Sequence, residues 1–120
     1  MELTRRQIGS VIVLSFAEPV TLEGETSARF KEKIRGFIAD GCSSLIVDLG
    51  PVRFIDSSGL GALISALKVL RAHDGDLVLA NVPEPVQAVL EITRLLRVFE
   101  IYSTAEDALE AETVANRKPA

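Results

Sequence analysis

Apolar and polar positions along the chain fall into two rhythms. Glu2–Gln7 and Val11–Ala17 flank the turn pair Gly9-Ser10, and the second run, VIVLSFA, is rich in β-branched residues, the pattern of a buried strand. A loop carrying Pro19 and Gly24 follows. From Glu25 to Asp40 the period lengthens: Phe30, Ile34, Phe37 and Ile38 recur at helical spacing with Arg29, Lys31, Glu32, Lys33 and Arg35 between them, which predicts an amphipathic helix stopped by Gly41. Ser44–Leu49 predicts a short apolar strand broken by Gly50-Pro51. Val52–Ile55 then leads into Asp56-Ser57-Ser58-Gly59 and a helix to about Ala72. Asp74-Gly75 turns the chain into a strand at Leu77–Ala80, and Pro85 suits the first turn of the helix that follows. Val98–Tyr102 reads as an edge strand. Ser103-Thr104 caps a last helix through about Glu112, with Glu106 placed for a capping box.

Strand–helix alternation of this kind implies an α/β layer fold with a mostly parallel sheet behind the first hairpin. One domain is expected over residues 1–112. The tail 113–120 carries no periodicity and is expected to be disordered. With 48% hydrophobic residues, a packed core needs no covalent staples. A net charge of −4 and no Lys/Arg cluster argue against nucleic-acid binding. The uncharged stretches Ile8–Ala17 and Ser57–Leu67 fall far short of the ~20 apolar residues of a membrane span. Cys42 is the single cysteine, so a reducing, cytoplasmic setting is the expectation.

Catalytic chemistry finds little support. The single histidine, His73, stands at a helix end beside Asp74-Gly75, where a cation serves as a cap. It has no second His and no neighbouring Cys, so neither metal nor cofactor is expected. Gly59-Leu60-Gly61 is too short for a dinucleotide fingerprint, and no Gly-Lys-Ser/Thr loop occurs. Asp48, in an apolar strand, reads as a hydrogen-bonded structural carboxylate, and Cys42 as a small structural residue.

The informative segment is SSGLGALISAL, Ser57–Leu67. Leu60, Leu63, Ile64 and Leu67 share one helical face and should meet the sheet. The opposite face holds Ser58, Gly61, Ala62 and Ser65, and no charge appears before Lys68. Glycine costs a helix up to ~1 kcal/mol relative to alanine, so something favours small side chains here. Either the face is enclosed within the fold, or it is kept bare for another protein; periodicity leaves both open. Asp56, Ser57 and Ser58 also suit a plain N-cap, yet a helix N-terminus accommodates anions, and a phosphate there would be tolerated. Such a group would add about −1.5 to −2 charges at the edge of a neutral surface.

FIDSSGLGALISAL resembles the signature of STAS-domain anti-sigma-factor antagonists, and SLIVDLGPVRFIDSSGLG and LVLANVPEPVQAVLEITRLLRVFEIYSTAEDAL extend the likeness over about residues 5–110. The resemblance implies an α/β STAS fold, a four- to five-stranded mostly parallel (mixed) sheet with about four helices. It implies Ser57 as the phosphate acceptor. The partner implied is an anti-sigma factor that is also a serine kinase of the histidine-kinase-like ATPase fold, bound by the unphosphorylated chain and released on phosphorylation. A metal-dependent serine phosphatase would restore binding. Ala17-Glu18-Pro19-Val20-Thr21-Leu22 lacks the Gly-x-Leu-Asp of many members and resembles another STAS subgroup, with Leu-Glu-Gly-Glu before the first helix. The expected docking face combines Glu18, Thr21 and Glu23 of this loop with Asp56, Ser58, Gly59, Gly61, Ala62 and Ser65. STAS-like domains also serve as subunits of transport or stress-signalling complexes, in which Ser57 would be only a cap.

Overall fold

A strand buried on both faces has no polar side to show, which is why VIVLSF and SLIVD read as nearly unbroken apolar runs. In the computed structural model, which describes residues 1–117, these are β2 (Val11–Phe16) and β4 (Ser44–Asp48), the centre of a five-stranded sheet. β1 (Leu3–Ile8) lies antiparallel on β2, and β6 (Asp76–Ala80) and β7 (Glu100–Tyr102) continue in parallel beyond β4, giving the order β1-β2-β4-β6-β7. The remaining elements are β3 (Val20–Leu22), α1 (Glu25–Ala39), β5 (Val52–Ile55), α2 (Ser57–Ala72), α3 (Glu84–Ile92) and α4 (Ala105–Arg117).

Alternate strand residues divide between two cores. Ile12, Leu14, Leu45, Val47, Leu77 and Leu79 face α1, α2 and α3. Val11, Val13, Ile46, Val78 and Ala80 face α4 alone, through Ala105 and Ala108. The same alternation splits two neighbours on β1: Arg5 lies over the Phe37 ring of α1, 5.3 Å from its centroid, while Arg6 reaches Glu106 of α4 at 3.0 Å. These charges also keep the exposed edge strand from pairing with other chains.

The mixed sheet and four helices agree with the expected STAS fold. Four details differ from the sequence reading. Val20–Leu22, expected as loop, forms β3 and pairs in parallel with β5 in a separate two-stranded sheet. The last helix runs to Arg117, past the expected end at Glu112, while the remainder of the expected tail, residues 118–120, lies outside the described residues. Its cap is Thr104, whose Oγ1 accepts the Asp107 amide at 3.0 Å; Glu106, expected in a capping box, instead pairs with Arg6. Finally, Ala62 and Gly59 lie beneath α1, with Ala62 only 3% exposed. A Cβ on Gly59 would come 2.7 Å from Ile55 Cγ1 at the end of β5 and 3.2 Å from Ser27 Oγ of α1, so the turn from β5 into α2 needs glycine there. Enclosure therefore accounts for part of the neutral face, but Ser58 and Ser65 remain exposed and Gly61 half-exposed.

One buried group is under-satisfied: Glu112 is 8% exposed and its Oε1 has no hydrogen-bond donor among the described residues. Burial, then the charges of Asp76 and Glu100, push its carboxyl above the usual range. No helix among the described residues is long and apolar enough to cross a membrane.

The turn after α3 stores strain. Leu95 and Leu96 both donate to the Leu90 carbonyl, and Arg94, just before them, takes φ +62°, a position glycine normally fills. Arg94→Gly is expected to raise stability by about 0.5–1 kcal/mol in urea denaturation, because the left-handed penalty outweighs the added chain entropy. Arg94→Ala, which keeps the Cβ, should show no such gain.

Candidate functional site

β5 ends at Ile55 and α2 begins at Ser57, so Asp56 is the N-cap of α2. Its carboxylate does more than cap. Oδ1 accepts the Gly59 amide at 2.9 Å and the Ser27 hydroxyl at 2.8 Å, and Oδ2 accepts the Gly24 amide at 3.0 Å. Gly24 and Ser27 belong to the opening of α1. One carboxylate thus ties together the N-termini of two helices, where unpaired amides and both helix dipoles favour negative charge. The Gly59 amide, followed by the Ser27 hydroxyl and the Gly24 and Ser58 amides, holds the Asp56 carboxyl below the ordinary carboxylate range against a smaller opposing effect of desolvation.

β3 supplies the geometry. Its pairing with β5 joins Leu22 to Ile55, and the Asp56 amide donates to the Leu22 carbonyl at 2.8 Å, which delivers Glu23-Gly24 to the carboxylate. Thr26 locks the loop: its hydroxyl donates to the Thr21 carbonyl at 2.6 Å and accepts the Glu23 amide at 3.0 Å. Thr21, Glu23, Asp56, Ser57 and Ser58 are therefore gathered at one mouth. Glu18 is not, because it precedes the opposite end of β3, where the Val20 amide donates to the Pro51 carbonyl. Ser65 lies two turns along α2, and Gly59 and Ala62 are covered.

Ser57 itself is exposed in the first turn, and its hydroxyl has no hydrogen-bond partner among the described residues. Ser57 is thus open to a reagent while the backbone around it is fixed by Asp56. Ser27, 1% exposed, did not stand out in the sequence. The available signal was a serine in register with Phe30 and Ile34 on the buried stripe of α1.

Elsewhere the polar groups are structural. Asp48 accepts the Gly50 amide at 2.9 Å and the Asn81 side-chain amide at 3.1 Å, the role expected for it. His73 is the exposed C-cap residue of α2. The half-buried Cys42 thiol donates to the Ser44 carbonyl at 3.4 Å, and burial raises its pKa. Among the described residues no group of three or more His, Cys, Asp or Glu side chains is placed to hold a metal.

The clamp carries a pH signature. A carboxyl depressed in the folded chain contributes stability that is complete above its ordinary value, about 3.9, and is lost as pH falls through the lower folded value. Asp56→Asn removes the acceptor of the exposed Gly24 amide and should cost about 0.5–1.5 kcal/mol near pH 7. That difference from wild type should shrink steadily on acidification below about pH 4, read from urea titrations at each pH. A constant difference would mean that the carboxylate charge contributes nothing.

Residues 2–108 match the STAS domain. The anti-sigma F factor antagonist of Paenibacillus polymyxa is 28% identical over 102 residues, spanning 80% of this chain and 87% of its own. The anti-sigma-B factor antagonist of Listeria monocytogenes is 31% identical over 80 residues, 67% of this chain and 70% of its own. In fold the chain is similar to the anti-sigma factor antagonist SpoIIAA in its unphosphorylated form, with a TM-score of 0.78 at 21% identity over 98% of this chain and 99% of that one. The phosphorylated form of SpoIIAA, described as a Bacillus cell fate determinant, superposes with a TM-score of 0.70 at 21% identity over 91% and 97%. A mixed five-stranded sheet, an Asp-Ser-Ser-Gly helix mouth and a match over most of the chain agree: the protein belongs to the STAS domain family.

Proposed function

We propose that the chain is an anti-sigma factor antagonist that works as a switch: with Ser57 unmodified it docks its counterpart at the mouth of α2, and with Ser57 phosphorylated it is released. The observation that carries this is the exposed, unengaged Ser57 hydroxyl beside a carboxylate that fixes the backbone around it. The names of the sequence relatives support the antagonist role, and the phosphorylated form of SpoIIAA supports the compatibility of this fold with a phosphate.

The counterpart is an anti-sigma factor that is itself a serine kinase of the histidine-kinase-like ATPase fold, and a metal-dependent serine phosphatase reverses the modification. Thr21, Glu23, Asp56, Ser58, Gly61 and Ser65 form the docking face. Gly59 and Ala62 shape it from beneath, and Glu18, before the far end of β3, stands apart from it. The setting is cytoplasmic, and the chain catalyses nothing itself.

The energetics favour exclusion over unfolding. In the free chain, the α2 dipole stabilises a phosphate by about 0.3–1 kcal/mol. Desolvating the same dianion in an interface costs several kcal/mol, so affinity should fall about a hundredfold or more. Gly24, bonded to Asp56, is flanked by Glu23 and Glu25, so the added charge also enters an acidic neighbourhood.

Ser57→Ala should stay folded, bind the kinase and resist phosphorylation, as read by calorimetry and by mass spectrometry of the Ser57 peptide after ATP addition. Ser57→Asp should bind at least about tenfold more weakly, since one carboxylate only partly imitates a phosphate. Stoichiometric labelling of Ser57→Ala would move the acceptor to another residue. Undiminished binding of the fully phosphorylated chain would instead favour a permanent scaffold.

A further inference from the structure

Along the seam between α1 and α2 the surface opens into a groove of about 150 Å³ that runs from Ala62 and Ser65 to Val69. Ile34 and Ala66, 2% and 4% exposed, form its floor, and Val69, 43% exposed, forms a wall. Two cations stand on its rim, Lys31 and Arg35, one turn apart on α1, and the lining contains no carboxylate although the chain as a whole carries a net charge of −4. Lys31 makes no ion pair among the described residues, so its ammonium is available. Arg35 pairs with Glu32 at 3.2 Å, with both side chains well exposed. Such a pair is worth about 0.2–1 kcal/mol and exchanges readily for a better-placed carboxylate.

The dimensions limit the occupant. A cavity of about 150 Å³ holds one benzene-sized group, hence one Phe or Leu side chain. Lys31 and Arg35 are separated by about 6 Å along the helix axis, the spacing of residues one turn apart on any neighbouring helix. We propose that this groove is a docking site for an acidic helix of a partner protein, which inserts one apolar side chain between α1 and α2 and sets two carboxylates, one turn apart, against Lys31 and Arg35.

This contact depends only weakly on the state of Ser57. Ala66 follows Ser57 by nine positions on α2, about 13 Å along the axis. Against a screening length of about 8 Å at physiological ionic strength, a charge at Ser57 is largely screened at Ala66 and partly screened at Ala62, five positions on and about 7.5 Å away. A partner seated here keeps most of its contact when Ser57 is modified, although Ser65 and Ala62 belong both to this groove and to the docking face at the mouth of α2.

The test uses a short, end-blocked helical peptide with one central Phe and Glu residues one turn apart beside it, together with the same peptide carrying Lys in place of Glu. Binding is followed by amide and methyl NMR shifts of the full chain. The acidic peptide should perturb Ile34, Ala66 and Val69 and bind at least about tenfold more tightly than its Lys counterpart. Val69→Asp and Lys31→Glu, both at exposed positions, should each weaken it about tenfold while circular dichroism stays unchanged. Ser57→Asp should leave its affinity within about twofold. Equal binding of the two peptides, indifference to Val69→Asp, or a tenfold loss in Ser57→Asp would each overturn the proposal. So would decanoate filling the groove where the acidic peptide does not, which would make the occupant a free fatty acid. Ser57→Asp binding to the kinase is measured separately, so failure here leaves the switch untouched and the converse also holds.

Discussion

Everything at the mouth of α2 depends on one carboxylate shared by two helices. A helix N-terminus brings several amides without acceptors, and two such ends meeting in a fold double the number. Asp56 answers both with a single side chain, taking Gly59 of its own helix and Gly24 and Ser27 of α1. The arrangement sets the distance between α1 and α2, and a side chain at Gly59 would collide with Ile55 of β5 and crowd Ser27 of α1. Ser57 is left with a fixed backbone and an unoccupied hydroxyl. A modifiable group on a rigid frame changes the charge of a surface with little change in its shape.

The clamp also explains why a three-residue strand matters. β3 is too short to contribute much to the sheet, but its pairing with β5 brings the Leu22 carbonyl to the Asp56 amide and so aligns the loop with the helix. Without it, Glu23 and Gly24 would have no reason to lie beside Ser57. Thr26 repeats the device on a smaller scale, its hydroxyl closing the turn from Thr21 to Glu23.

Most of the architecture could be read from periodicity because the central strands β2, β4 and β6 are apolar on both faces and the helices on one. The exceptions have physical causes. Val20–Leu22 is preceded by proline and spans too few residues for any rhythm, so only its pairing with β5 reveals it. Thr104 rather than Ser103 caps α4 because the choice between adjacent hydroxyls depends on where the helix begins, a matter settled by packing of Ala105 and Ala108 on the sheet. At the site, Asp56 and Ser57 were evident as a cap, while Ser27 was hidden because its hydrogen-bond acceptor lies in a distant part of the chain. The neutral face of α2 admitted two explanations, and enclosure accounts for one part of it: α1 covers Ala62, whereas Ser58 and Ser65 meet solvent.

The two faces of the sheet are covered unequally, by three helices on one side and by α4 alone on the other. During synthesis α4 emerges after every strand it shields, so Val11, Val13, Ile46 and Val78 stay uncovered while the rest of the chain is already made. Nascent chains would therefore pass through a stage with an apolar slab facing the ribosome surface or a chaperone, and premature termination before Ala105 would leave that slab permanently sticky.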